Sequence, residues 1–172
     1  MTDYNRLNAR REMEVDVSAD AFFAALTTWD GAREWKSAPL PLARCELFPG
    51  HRNGQVPCTR LVYPDFDNLP AGTTPDMVPE FMSETMLHLD PDARFILYRL
   101  DGEGPMGLRN YYATPEVNDL GAGRARVICT GRADMPASVP VEAMQGLLET
   151  TYERGVIGGT LDYIAAHRAE AA

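Results

Sequence analysis

The sequence predicts an α+β domain in which an antiparallel sheet and segregated helices share one core, and three observations predict it. A short polar/apolar alternation comes first, a run of alternating segments separated by turn signals fills the middle, and one long stretch with helical spacing closes the chain. With 172 residues, 45% of them hydrophobic, and no internal repeat or low-complexity segment, the expectation is one domain over 1–172 with a continuous core.

The first strand is expected from Arg10 to Val17, where Met13, Val15 and Val17 fall on one side of a period-2 pattern. Ser18 is placed to cap a helix beginning at Ala19, with Asp20 in its first turn and Phe22, Phe23, Leu26 and Trp29 at helical spacing. Gly31 interrupts that helix, and a short second helix is expected to carry Trp35. Ala43–Phe48 and Val56–Tyr63 read as a hairpin joined by PGHRNG.

The segment from Tyr63 to Met82 has no periodicity and is rich in proline and aspartate, so 63–82 is expected to be a long loop of the kind that serves as a lid over a pocket. Strands are expected at Ser83–Leu89, Arg94–Leu100, Arg109–Thr114 and Gly123–Asp134, separated by DPDA, DGEGPMG and NDLGAG. From Pro140 to about His167 the residues Met144, Leu147, Leu148, Tyr152, Val156, Leu161 and Ile164 form an apolar stripe at 3.6 spacing. Gly146, Gly155, Gly158 and Gly159 weaken that helix by roughly 1 kcal/mol each, which points either to close packing or to room for a ligand beside it.

Composition narrows the function classes. A formal net charge of -9, spread along the chain, repels phosphate backbones and anionic membranes, so neither nucleic acid nor a membrane surface is expected as partner. Cys45, Cys58 and Cys129 lie far apart without CxxC spacing, which argues against a disulfide framework or a zinc site, and His51, His88 and His167 are isolated, so no metal is expected. The polar N-terminus lacks the apolar run of a signal peptide, giving the expectation of a cytoplasmic protein. Strands at the sheet edge or the long loop could mediate a homodimer.

Four stretches, VDVSADAFFAALTTWDGAREW, ETMLHLDPDARFILYRL, LRNYYATPEV and RVICTGRADMP followed by TYERGVIGGTLDYI, in this order and spacing resemble the SRPBCC (START-like, polyketide cyclase/dehydrase-type) superfamily over nearly the whole chain. The resemblance implies a helix-grip fold, with a seven-stranded antiparallel sheet wrapped around the long C-terminal helix, two short helices after strand one, and a cavity between sheet and helix. Members of the superfamily bind, transport, cyclise or dehydrate small molecules or adapt other proteins, so the fold alone does not select a chemistry.

Face assignments follow from alternation and from the resemblance. In Arg124–Asp134 the small, uncharged set Val127, Cys129, Gly131 and Ala133 is expected inward, with Arg126, Ile128, Thr130, Arg132 and Asp134 outward. Similarity in LRNYYA implies Arg109, Tyr111 and Ala113 inward, with Tyr112 outward. On Ser83–Leu89 the set Glu84, Met86, His88 competes with Ser83, Thr85, Leu87, Leu89; the apolar pair Leu87 and Leu89 favours the second, and the resemblance favours the first, which is preferred here. The resemblance also implies Ile96, Tyr98 and Leu100 inward.

These assignments define the candidate chemistry. A carboxylate in an apolar cavity resists ionisation and becomes usable as a general acid or base unless an arginine opposes this, which makes Glu84 the first catalytic candidate. His88 could exchange protons with a phenol or carbonyl, or be a surface histidine beside a turn. Tyr98 and Tyr111 could donate hydrogen bonds to a carbonyl or enolate, or only fill core; Arg109 could pair with a ligand carboxylate, or sit in solvent. Met86, Ile96, Ala113, Val127, Cys129, Gly131 and Tyr152 complete the expected substrate-binding wall, Cys129 being a buried small hydrophobe and not a nucleophile.

Two functions compete on this basis. One is a cofactor-independent enzyme similar to polyketide cyclases and dehydratases, of the lyase or isomerase class, acting on an aromatic or polycarbonyl substrate. The other is a non-catalytic carrier of a small hydrophobic molecule. An interaction module would need an exposed apolar stripe, which the sequence does not show.

Overall fold

The computed structural model describes residues 3–31, 35 and 37–170, with side chains described as far as Arg168. Strand β1 (Tyr4–Val15) leads through helix α1 (Ala19–Leu26) to β2 (Leu42–Leu47), β3 (Cys58–Pro64), β4 (Met82–Asp90), β5 (Phe95–Asp101), β6 (Arg109–Gly121) and β7 (Arg124–Pro136). The seven strands form one antiparallel sheet in the order β1-β7-β6-β5-β4-β3-β2, open at both edges. A helical rod follows: α2 (Val141–Thr150), a wide-turn π segment over Thr151–Gly158, and α3 (Gly159–Glu170). This is the expected helix-grip architecture, with β1, β4, β6 and β7 running longer than alternation suggested. The second short helix expected around Trp35 falls largely outside the described residues.

Ser18 caps α1, its hydroxyl accepting from the Ala21 N–H at 3.3 Å, and Phe22, Phe23 and Leu26 turn inward. The helix packs against β6, β7 and α3, closing one end of the sheet. Strict alternation on β7 buries Ala125, Val127, Cys129, Gly131, Ala133 and Met135 and leaves the residues between half-buried or exposed. A continuous inward row, Cys58, Met86, Tyr98, Ala113, Gly131 and Ala9, crosses six strands in register.

The C-terminal rod departs from the regular 3.6 spacing. Its π segment buries Tyr152, Gly155, Val156 and Ile157 together, more of the inner side than a regular helix would present in so few residues. Of its glycines, Gly159 meets the Trp35 ring so closely that an added Cβ would lie 2.0 Å from Cδ1. That glycine therefore serves packing on the α1–β2 connection and gives no room to a ligand.

Candidate functional site

At the end of the sheet away from α1, the interior is hollow. The cavity measures about 400 Å3 and is walled by Met82 and Glu84 of β4, Leu100 of β5 and Tyr111 of β6, with Leu42 and Val62 from β2 and β3. The rod contributes Met144, Leu147, Leu148 and Thr151. The remaining wall is irregular chain: Pro70, Ala71, Thr73, Met77 and Val78 of the long loop, Pro105, Met106 and Leu108 before β6, and Trp35, Ala38, Pro39 and Leu40 before β2. Among the described residues, Glu84 is the one carboxylate in this lining.

Glu84 does not stand alone. Arg60, directly opposite it on β3, is 3% exposed; its Nε donates to Glu84 Oε2 at 2.7 Å, and its Nη2 is paired with the same oxygen at 2.5 Å. Arg60 Nη1 donates to the Trp29 carbonyl at 3.2 Å, and the guanidinium lies 3.8 Å over the Trp29 ring and 5.1 Å from the Trp35 ring. Burial, the largest single effect, pulls the Arg60 pKa down, but the adjacent Glu84 carboxylate together with Cys45 and Tyr98 more than offsets it and holds the group above its ordinary value, so the arginine is a cation. Both contacts fall on Oε2, and no described side chain donates to Oε1.

Beside this pair runs a chain of buried phenols. Tyr111 Oη lies 3.0 Å from Tyr152 Oη and 3.5 Å from Tyr98 Oη, and the Tyr98 ring meets Trp29 edge-on at 5.3 Å. Burial pushes all three phenols above their ordinary pKa, well above it for Tyr98 and Tyr111, so they stay protonated hydrogen-bond donors. Tyr152 Oη fits only because position 131 is glycine: an added Cβ there would sit 1.7 Å from it.

The structure brings Glu84 and Tyr111 to the cavity wall and places Tyr98 directly behind Tyr111. Met86, Ile96, Ala113, Val127, Cys129 and Tyr152 are buried in solid core and do not line the cavity; Gly131 lies among them. Burial pushes the Cys129 thiol up to about 12, in keeping with an inert sulfur.

Two inward placements are corrected. His88 is exposed, its ring 6.1 Å from Phe95, because β4 carries one extra residue between Met86 and His88 and the bulge reverses the alternation. Arg109 is half exposed and bonds Glu103 through Nε at 2.9 Å, because Asn110 adopts a left-handed conformation (φ 50°) and the register slips between Arg109 and Tyr112. Sequence reasoning passed over Arg60, although CTRLVYP puts it on the same face as Cys58 and Val62, a charge among apolar neighbours. The loop residues of the cavity carry no comparable signal.

Among the described residues no group of His, Cys, Asp and Glu comes together in a way that could hold a metal ion, and no helix is long and apolar enough to cross a membrane.

A sequence model of the family described as polyketide cyclase / dehydrase and lipid transport matches residues 6–158. No curated protein sequence matches the chain. Among solved structures, the Zhui aromatase/cyclase from a Streptomyces species superposes with a TM-score of 0.63 at 17% identity, over 98% of this chain and 97% of its own. Norcoclaurine synthase from Thalictrum flavum, in complex with dopamine and hydroxybenzaldehyde, gives 0.62 at 18% identity, over 98% and 90%. The protein XoxI from Bacillus cereus gives 0.67 at 16% identity, over 94% and 98%. Likeness at these identities establishes the fold and leaves the chemistry to the site.

Proposed function

The chain belongs to the polyketide cyclase/dehydrase and lipid transport family, and from that premise we propose that it encloses a small aromatic or polycarbonyl molecule and acts on it as a cofactor-independent cyclase or dehydratase. The observation that carries this reading is an apolar cavity of about 400 Å3 whose wall holds one carboxylate and one phenol, Glu84 and Tyr111. Its size falls within the roughly 300–1,000 Å3 of small-molecule sites, and a few convergent polar groups in an apolar lining are what such sites use to orient a ligand.

Arg60 fixes Oε2 of Glu84, and Oε1 faces the ligand as the base. It removes a proton from a carbon between two carbonyls, leaving an enolate. The enolate carbon bonds to a second carbonyl carbon of the same molecule, whose π pair moves onto its oxygen; Tyr111 donates a hydrogen bond where that negative charge gathers. Return of the proton from Glu84 gives the hydroxyl, and loss of water gives the dehydrated ring. The 63–82 loop acts as the lid, with Met77 on the loop, and Met106 and Leu147 facing it, forming an apolar rim.

A carrier function is the second reading, favoured by the engagement of Glu84 with Arg60, which gives the carboxylate a structural partner without any catalytic role. Proton exchange at the α-carbon of beta-tetralone in deuterated water, followed by NMR, separates the two. The enzyme reading expects exchange accelerated at least about a hundredfold over buffer, within the range of general base catalysis, and lost in Glu84→Gln. Binding of the ketone without accelerated exchange would favour the carrier.

A further inference from the structure

The three buried phenols contain a proton-counting problem that has one solution. Tyr98, Tyr111 and Tyr152 carry three hydroxyl protons, but among the described residues these three hydroxyls make only two links, at 3.5 Å and 3.0 Å, both on Tyr111. Tyr152 is fully buried, with its oxygen against Gly131, and Tyr98 is 4% exposed. Neither lines the cavity, and neither hydroxyl has another hydrogen-bond partner among the described residues. A buried donor left unmade is costly, so each must give its proton to Tyr111 Oη. Tyr111, a residue of the cavity wall, then accepts twice and keeps its own proton for the cavity.

We propose that Tyr152 and Tyr98 are positioning residues that commit the Tyr111 hydroxyl to donating into the cavity, and that the site therefore selects ligands that present an anionic oxygen there, an acidic phenol or an enolised dicarbonyl. The inference rests on the proposed ligand site and adds to it a reason for preferring the oxyanion over the neutral molecule. A phenol that accepts two hydrogen bonds is a stronger donor than an isolated one, because hydrogen bonds in a chain polarise each other. The Tyr98 link, being the longer, contributes less.

The test compares para-nitrophenolate with its neutral methyl ether, para-nitroanisole, by absorbance titration above the titration point of the phenol. Native protein is expected to bind the phenolate more tightly than the ether. Tyr152→Phe should lower the phenolate-to-ether affinity ratio about three- to tenfold, the worth of one hydrogen bond, and raise the apparent pKa of the bound phenol, with ether affinity nearly unchanged. Tyr98→Phe should show the same change at smaller size. Cooperative thermal unfolding of each variant confirms a folded protein, and a purely structural role would weaken both ligands equally. An unchanged ratio in Tyr152→Phe overturns the assignment while leaving the pocket intact; failure of both ligands to bind native protein overturns the ligand site and the inference together.

Discussion

The two ends of this sheet are built from the same strands and have opposite interiors. At the α1 end, Ile96, Val117, Val127 and Phe22 are at most 1% exposed and fill the space completely. At the other end, Leu100, Glu84 and Tyr111, drawn from β5, β4 and β6, look into a cavity of about 400 Å3. The boundary is the row Cys58, Met86, Tyr98, Ala113 and Gly131. What differs is the cover: an amphipathic helix seals the filled end, whereas much of the wall of the hollow one, outside the sheet and the rod, is loops and turns. Irregular chain has no apolar stripe to interdigitate with the sheet, and space remains.

The largest effect should come from the charge pair at that boundary. Arg60→Ala leaves the Glu84 carboxylate without its cation in a nearly closed site and should lower unfolding free energy by about 3–5 kcal/mol in urea titration, whereas Arg60→Ala with Glu84→Gln should recover part of the loss. A loss below about 1 kcal/mol in the single variant would show that the interior is wetter than its burial implies.

Core truncation comes next. Ile96→Ala, at 0% exposure in the filled end, should cost about 2–5 kcal/mol. Equal costs for Ile96→Ala and for Leu100→Ala, whose side chain already borders empty space, would erase the distinction between the two ends.

Alkaline pH sharpens the comparison through the phenols between them. Their folded pKa values are raised, so their contribution is complete below the unfolded value near pH 10 and is lost as pH rises toward the folded values. Each buried phenol should add a slope of about 1.4 kcal/mol per pH unit above pH 10, and Tyr98→Phe should remove one such increment from the pH dependence of the urea midpoint. The smallest effect is expected at the rim: Leu147→Ala, 38% exposed, should cost under about 1 kcal/mol in stability while weakening ligand retention.

The filled end was the legible one. On β7 every second residue from Val127 to Ala133 is small and uncharged and no bulge intervenes, so period two assigned the face correctly. On β4 the extra residue after Met86 has no sequence mark, and His88 was carried to the wrong face; on β6 a single left-handed asparagine did the same to Arg109. The inward placement of Glu84 came from family resemblance against the apolar pair Leu87 and Leu89. Arg60 was readable from alternation and overlooked. A cavity between sheet and helix followed from the resemblance, but its lining was not readable, because Pro70 to Val78 has no periodicity from which to assign a face, and the π segment, which groups Tyr152 with Val156 and Ile157, breaks the spacing assumed for the rod.

The central claim is that the hollow end is a ligand site, and calorimetric titration of 2-naphthol against native protein and Leu148→Trp tests it most directly. Leu148 lines the cavity from the rod, so an indole in its place occupies ligand space without touching Glu84 or Arg60 by design. The account predicts one-to-one binding to native protein and at least about tenfold weaker binding to a folded Leu148→Trp, the loss of roughly 1.4 kcal/mol or more of contact. Equal affinity in the two proteins, or no binding to the native one, would contradict it.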